Sequence, residues 1–513
     1  MEHTAVGDRR KWATLAISCL AVLLLAIDLT VLHLALPQLA ADLSPSATQI
    51  LWIGDVYGFA LAGLLITMGN VGDRIGRKRL LLIGAAAFGA ASALTAYATT
   101  PELLIAARAL LGVAGATIMP STLSIIRNAF TEPAERTTAI GIWSGMSASG
   151  FALGPVVGGL LLDHFWWGSV FLINLPVMAL ILVAGAVVLP ESRNPRPGRL
   201  DAVSVVLSVI GVIGVIYAIK EAAAGGPGQA AVWIAGGAGL AALAWFALRQ
   251  TRLAEPLIDV RLFGRRAFSA AVTANLVAIF GMSALSLVFA WYFQLVIGWS
   301  PLVAGLAGLP GGLAGAVGGV LAVKLITVMG RARVVALGLA MSATSFALYS
   351  QMDAGTSYLY LLAGMVVGGV GIGLTFAVTN DTVLASVPKE RAGAASAISE
   401  TAFELGGALG IAVLGSLLTG VYRSGLQLPA GVPAEAAAPI RDSLPTALDA
   451  AAALPAELGA AVADTARQAF VEAIGTTSLA AAVLIAVLAV ASLAGLRGVP
   501  DVIPEEVLTD AGS

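Results

Sequence analysis

Apolar runs of about 20 residues recur along the whole chain, and this restricts its fold more than any other feature. In lipid every backbone N–H and C=O must be satisfied within the segment, so such runs cross a bilayer as α-helices. Fourteen runs stand out, at 12–36, 48–69, 79–98, 102–125, 137–162, 168–189, 201–220, 230–248, 268–297, 301–328, 334–352, 357–384, 393–422 and 471–495. The expected fold class is an all-α membrane protein with 14 transmembrane helices. Composition agrees: 58% of residues are hydrophobic and 11% charged, where about 25% charged is usual for a soluble domain. Arg9, Arg10 and Lys11 precede the first run, which reads as a span rather than a secretory leader, because it is long and many similar runs follow.

Basic residues hold connecting loops on the cytoplasmic side during insertion. With the amino terminus inside, 22 of the 28 Lys and Arg fall in inside segments, so both termini are expected to be cytoplasmic. The chain then divides into a cytoplasmic segment 1–11, a six-helix bundle 12–189, a linker 190–267 with two inserted helices, a second six-helix bundle 268–495 and a tail 496–513. The second bundle includes a long outer loop, 423–470, rich in Ala and Pro; a lid or hairpin and a solvated tether are equally good readings of it. A weak repeat supports two halves. GNVGDRIGRKR at Gly69–Arg79 is echoed by GRAR at Gly330–Arg333, and halves rocking about a midplane site are a common transporter plan.

Several function classes drop out. No Gly-Lys dipeptide occurs, so there is no P-loop and no direct use of ATP. Energy must come from a gradient or a partner; a proton gradient is expected, with no cofactor. His3, His33, His164 and the single Cys19 show no metal-ligand spacing and allow no internal disulfide. A net charge of -2 gives no hint of nucleic acid. No covalent catalysis is implied.

Three motifs carry more. Gly69, Gly72, Asp73, Arg74, Gly76, Arg77 and Lys78 form a GxxxDRxGRK loop. An Asp at a span end, beside arginines and a helix terminus, suits a charge-relay latch between two halves. Arg108 is followed by Gly112, Gly115 and Pro120 within a span. Gly150, Gly154, Pro155, Gly158 and Gly159 spell GxxxGPxxGG, where glycines four apart admit a neighbouring helix and proline opens a kink. With AIDLTVLHLALP at Ala26–Pro37, LWIGDVYGFALAG in span 2 and ISETAFELGGALG in span 13, these motifs resemble the major facilitator superfamily, within it the fourteen-span drug:proton antiporters of the QacA type. The resemblance covers nearly the whole chain. It implies two six-helix bundles plus two inserted helices, a latch on Asp73, Arg74, Arg77, Gly69 and Gly76, a buried-arginine motif at Arg108 and an exporter motif in span 5. His33 departs from the pattern, standing where an asparagine is usual, and Asp55 points to a narrower group within the family.

Four acids lie inside predicted spans: Asp28, Asp55, Glu400 and Glu404. A buried, unpaired carboxylate is expensive, so each is a functional candidate. Counting 1.5 Å per residue puts Asp28, Asp55 and Arg108 at one level of the outer half, an arrangement suited to proton binding. Glu400 and Glu404 share a helical face and repel each other in a dry cavity, so a proton or an organic cation relieves the same strain. Proton coupling is therefore expected at Asp28, Asp55, Arg108 and Glu400, and substrate binding at Glu400, Glu404 and Asp55. Trp52, Tyr57, Trp143, Phe280, Trp291, Tyr292, Phe376 and Phe403 are candidate stacking partners for a flat cation. Asp381, near the inner end of span 12, reads as interfacial rather than as a site.

The expected function is proton-coupled export of lipophilic, mainly cationic compounds such as quaternary ammonium antiseptics and dyes, by a monomer in a bacterial inner membrane. A dedicated exporter of one natural product would use the same motifs. A channel or membrane signalling protein is the reading from another class; the latch, the exporter motif and the lack of a soluble domain speak against it.

Overall fold

The computed structural model describes residues 8–45, 47–194, 201–225, 228–253, 256–353, 355–388, 392–497 and 499. Arg196, Arg199, Lys389 and Arg391, four of the orienting basic residues, lie outside them, as does the side chain of His33. The helices run, in order, α1 (Asp8–Leu43), α2 (Ala47–Ile75), α3 (Arg77–Ala96), α4 (Pro101–Ala129), α5 (Pro133–Leu162), α6 (Ser169–Leu172), α7 (Asn174–Val188), α8 (Ala202–Gly225), α9 (Ala230–Gln250), α10 (Arg266–Trp291), α11 (Pro301–Tyr349), α12 (Tyr358–Ala385), α13 (Ala392–Gly425), α14 (Ala434–Asp442), α15 (Leu444–Ala452) and α16 (Ala456–Gly495). Among the described residues, 12 helical stretches are long and apolar enough to cross a membrane.

Local chemistry sets several boundaries. Thr100, Glu132 and Ser300 each cap a helix with a side-chain oxygen, and each is followed by proline at the first helical position. The cap satisfies an orphan N–H, and proline gives up an N–H that would have been orphaned anyway. Elsewhere glycine makes the joint. Gly76 (φ 109°) separates α2 from α3, and Gly330 (φ 79°, ψ 160°) breaks the 49-residue α11. Both lie in backbone space that L side chains rarely enter, so the repeat between Gly69–Arg79 and Gly330–Arg333 marks two equivalent joints.

Two seams join the halves. At one, α5 packs along the first part of α11; at the other, α2 packs against α13. The inserted helix α8 lies over the α2–α13 seam, and α9 packs on α8. The 423–470 segment does not run as a tether. Tyr422 donates its hydroxyl proton to the Ile440 carbonyl at 2.9 Å, and Arg467 Nε donates to the Leu295 carbonyl at 2.9 Å. With α14, α15 and the first turns of α16, this segment closes a second hydrophobic cluster over the ends of α10, α12 and α13. The 40 residues of α16 extend about 60 Å, roughly twice the hydrocarbon thickness, so its first half belongs to this cap.

Candidate functional site

The glycines of span 5 set the position of α1. Gly150, Gly154 and Gly158 lie against Ala26, Thr30 and Val31 of α1, while Gly159 and Pro155 face Leu302 and Gly305 of α11. One helix thus holds the Asp28 helix on one side and the second half on the other.

Asp28 is buried, and each of its two oxygens accepts a hydrogen bond. Its Oδ2 accepts from Arg108 Nη1 at 3.3 Å and its Oδ1 from Asn174 Nδ2 at 2.8 Å, and that amide also donates to Ser92 Oγ at 3.0 Å. Arg108 is 1% exposed and does not snorkel. Its Nε donates to the Ile53 carbonyl at 3.3 Å, and its guanidinium lies 4.7 Å from the Tyr57 ring centroid and 5.9 Å from that of Phe171. The Tyr57 hydroxyl is buried without a hydrogen-bond partner among the described residues.

Asp55 does not join this group. Ile53 and Tyr57 share the face of α2 that meets Arg108, and Asp55 is two residues from each, about 200° around the helix. It pairs instead with Lys220 of α8. Trp52 and Phe59 lie on the same stripe as Asp55, their ring centroids 6.2 Å apart, and Trp52 is 43% exposed. The expected three-residue cluster is therefore two sites, Asp28 with Arg108 and Asp55 with Lys220.

Glu400 lines a cavity between the halves. Trp143, Ser144 and Ser147 come from α5 of the first half, and Asn275, Met282, Phe376, Asn380, Glu400 and Phe403 from α10, α12 and α13 of the second. Phe376 and Phe403 are 5.9 Å apart between centroids. Asn380 Oδ1 accepts from Ser399 Oγ at 2.5 Å and from Asn275 Nδ2 at 3.4 Å. Ser144 Oγ and Asn275 Oδ1 are buried without partners among the described residues, and the Glu400 carboxylate forms no ion pair there. The free space is about that of a water molecule, so a drug-sized ligand requires the halves to part. Glu404, one turn on, is half-buried and within electrostatic reach of Glu400, Lys220 and Tyr57. Of the aromatic candidates, Trp143, Phe376 and Phe403 line this cavity. Tyr57 serves Arg108, Phe280 packs its backbone against Gly410, Trp291 lies tilted against Phe470 with ring centroids 6.1 Å apart in the cap, and Tyr292 donates to the Asp353 carbonyl at 3.3 Å.

The latch loop joins the halves through the Asp73 carboxylate. Asp73 accepts from Arg77 Nε at 2.9 Å and Nη2 at 2.7 Å, and also from the backbone N–H groups of Gly393 at 3.0 Å and Ala394 at 3.3 Å. It therefore caps the N-terminus of α13, where the helix dipole favours a negative charge. Gly69 makes this possible, because a side chain there would run into the Gly393 backbone. Arg74 is half-buried at the end of α2, and Gly76 sits beside Glu191, whose oxygens accept from the N–H groups of Lys78 and Arg79, both at 3.2 Å.

Asp381, near the inner end of α12, is shielded inside the protein. It is fully buried, and its two oxygens accept from Arg136 Nε of α5 and Arg331 Nη2 of α11, both at 2.7 Å. Arg127 of α4 adds a 2.5 Å bond to the Val387 carbonyl. These contacts close the latch end of the bundle. Nothing in the local sequence points to them, since Arg136 and Asp381 are 245 residues apart.

Two helical halves, meeting at acid-lined seams and tied at one end by buried ion pairs, define a multi-pass membrane transporter. The chain belongs to the Major Facilitator Superfamily, whose family model matches residues 18–411 and 271–496. It is 45% identical to the multidrug efflux pump LfrA of Mycolicibacterium smegmatis, over 95% of this chain and 96% of that protein. It is 36% identical to the methyl viologen resistance protein SmvA of Salmonella typhimurium (90% and 93%) and 31% identical to the tetracenomycin C resistance and export protein of Streptomyces glaucescens (97% and 94%). The crystal structure of the human organic anion transporter MFSD10 superposes with a TM-score of 0.62 at 16% identity, covering 93% of this chain and 99% of that one; that likeness concerns the fold alone.

Proposed function

We propose that the protein is a proton-coupled antiporter of a bacterial inner membrane that exports lipophilic, mainly cationic drugs. The observation that carries this is Glu400: a buried carboxylate without an ion-pair partner among the described residues, facing three aromatic rings in a cavity between the halves. An unpaired charge there is costly, so the site is relieved by either a proton or an organic cation. The relatives support the same reading, since one is named for multidrug efflux and another for resistance to methyl viologen, a flat dication.

Coupling follows from connectivity. Protonation of Asp28 removes the negative partner of Arg108, and α1 passes the change to α5 and hence to α11. We read 14 crossings in this scheme: the 12 stretches, α5, and the part of α11 beyond Gly330. Both termini and the Asp73 latch then lie on the cytoplasmic side. Thiol labelling of single cysteines at Gly228 and Asp442 from outside the cell checks this; labelling of either only from inside would reverse the orientation.

The test is proton release from purified protein. Adding methyl viologen to the wild type should release protons, and Glu400→Gln should release fewer; a silent wild type would refute antiport by cation–proton competition. A dedicated natural-product exporter is the second reading, favoured by the tetracenomycin C relative. It predicts a response to one compound across a broad panel.

A further inference from the structure

Lys220 takes no part in the coupling scheme, yet it is the cation bound to one of the four intramembrane acids. Its ammonium pairs with Asp55 and lies 5.3 Å from the centroid of the Phe59 ring. A carboxylate with an aromatic face is the pairing that recognises an organic cation. The aromatic surface continues on both sides of Phe59, to Trp52 at 6.2 Å and to Tyr217 of α8 at 6.0 Å between centroids. Glu404 brings a second carboxylate within electrostatic reach of Lys220 from the opposite half.

The pair is not locked in. Lys220 and Asp55 keep 36% and 35% of their side-chain surface exposed, and a side chain added at Gly54 or Gly58, on either side of Asp55, would meet no atom within 4 Å. The Lys220 ammonium sits on a flexible four-carbon stem and can withdraw along α8. By contrast, Asp28 and Arg108 are each 1% exposed.

We infer that the seam of α2, α8 and α13 holds a second organic-cation subsite, formed by Asp55, Phe59 and Glu404, in which Lys220 is a tethered resident cation that a substrate cation displaces. This rests on the drug-export reading above. The inserted helix α8 thus sets a selectivity threshold: only a cation able to outcompete a built-in ammonium engages Asp55 and Glu404.

Ethidium binding to the purified full-length protein, followed by fluorescence anisotropy, tests the inference. Lys220→Gln should tighten ethidium binding about tenfold and slow its efflux several-fold, Lys220→Arg should stay within about threefold of wild type, and the double variant Lys220→Gln with Asp55→Asn should lose the gain. Unchanged or weaker binding in Lys220→Gln overturns the subsite while leaving drug export standing, provided that wild type binds and Glu400→Gln binds less well. If wild type does not bind ethidium, the cationic-drug reading fails and the subsite falls with it. If Lys220→Gln does not fold, Lys220→Met decides; failure of both overturns the inference, because a displaceable group is not one the fold depends on.

Discussion

Asp28 and Glu400 are both buried carboxylates on membrane-spanning helices, one from each half, and their surroundings differ in kind. Asp28 accepts from Arg108 and Asn174, and Arg108 is itself held by the Ile53 carbonyl and the Tyr57 ring. Glu400 faces a cavity with unpartnered polar atoms and aromatic rings, and meets no cation among the described residues. A buried charge is tolerable only when paired. The first half supplies the partner from the protein, whereas among the described residues the second supplies none. Two acids that look alike in the sequence therefore stand in different settings, Asp28 in a fixed hydrogen-bonded network and Glu400 at a cavity between the halves.

The sharpest way to break this comparison is Asp28→Asn, expected to reduce proton-driven ethidium efflux, normalised to the amount of folded protein, to the level seen with an uncoupler. Efflux near wild type would remove Asp28 from the coupling path. Arg108→Ala leaves Asp28 buried without its cation and should destabilise the protein by about 3–5 kcal/mol, read as a lowered melting temperature in detergent. Glu400→Gln should spare stability and lower transport of dications about tenfold, or about 1.4 kcal/mol, relative to neutral compounds; equal loss for both classes would argue against charge recognition. Asp73→Asn weakens charge-assisted bonds to Arg77 and to the α13 N-terminus that are each worth about 1.5–3 kcal/mol. Thiol labelling of a cysteine placed at Ala394 should then become several-fold faster, and unchanged labelling would deny the latch its role. The smallest effect is expected at Asp201, whose carboxyl is held below the usual carboxylate range by hydrogen bonds from Arg249 and then Ser204. Because its folded value is depressed, the stabilisation is present above the ordinary carboxylate value near 4 and fades as pH falls through the folded value. A melting series should therefore show Asp201→Asn slightly less stable than wild type at pH 7, with the gap closing under strong acid.

Much of this arrangement was legible in local pattern. The GxxxGPxxGG spacing implied a closely packed neighbour for α5, and α1 is that neighbour. Arg108, too deep to leave without a partner, found Asp28. The GxxxDRxGRK loop implied a joint between halves centred on its Asp, and Asp73 makes that joint by capping the N-terminus of α13. What escaped was pairing across long separations: Asp55 with Lys220, 165 residues away, and Asp381 with Arg136 and Arg331. Counting depth along each helix put Asp55 beside Arg108. Depth alone does not fix rotation, and the packing of α2 turns Ile53 and Tyr57 to Arg108 and Asp55 away from it.

The sequence by itself determined that this chain lives in a bilayer, that it is helical, and which few charged residues lie where charge is costly. Those outcomes follow from transfer free energies and backbone hydrogen bonding, which act locally on each segment. Only the tertiary structure decided which acid meets which cation, that 423–470 folds into a cap, and that Glu400 is left facing a cavity. Helix rotation and register are set by packing between distant segments, and a difference of a hundred degrees about one axis separates a paired charge from an open site.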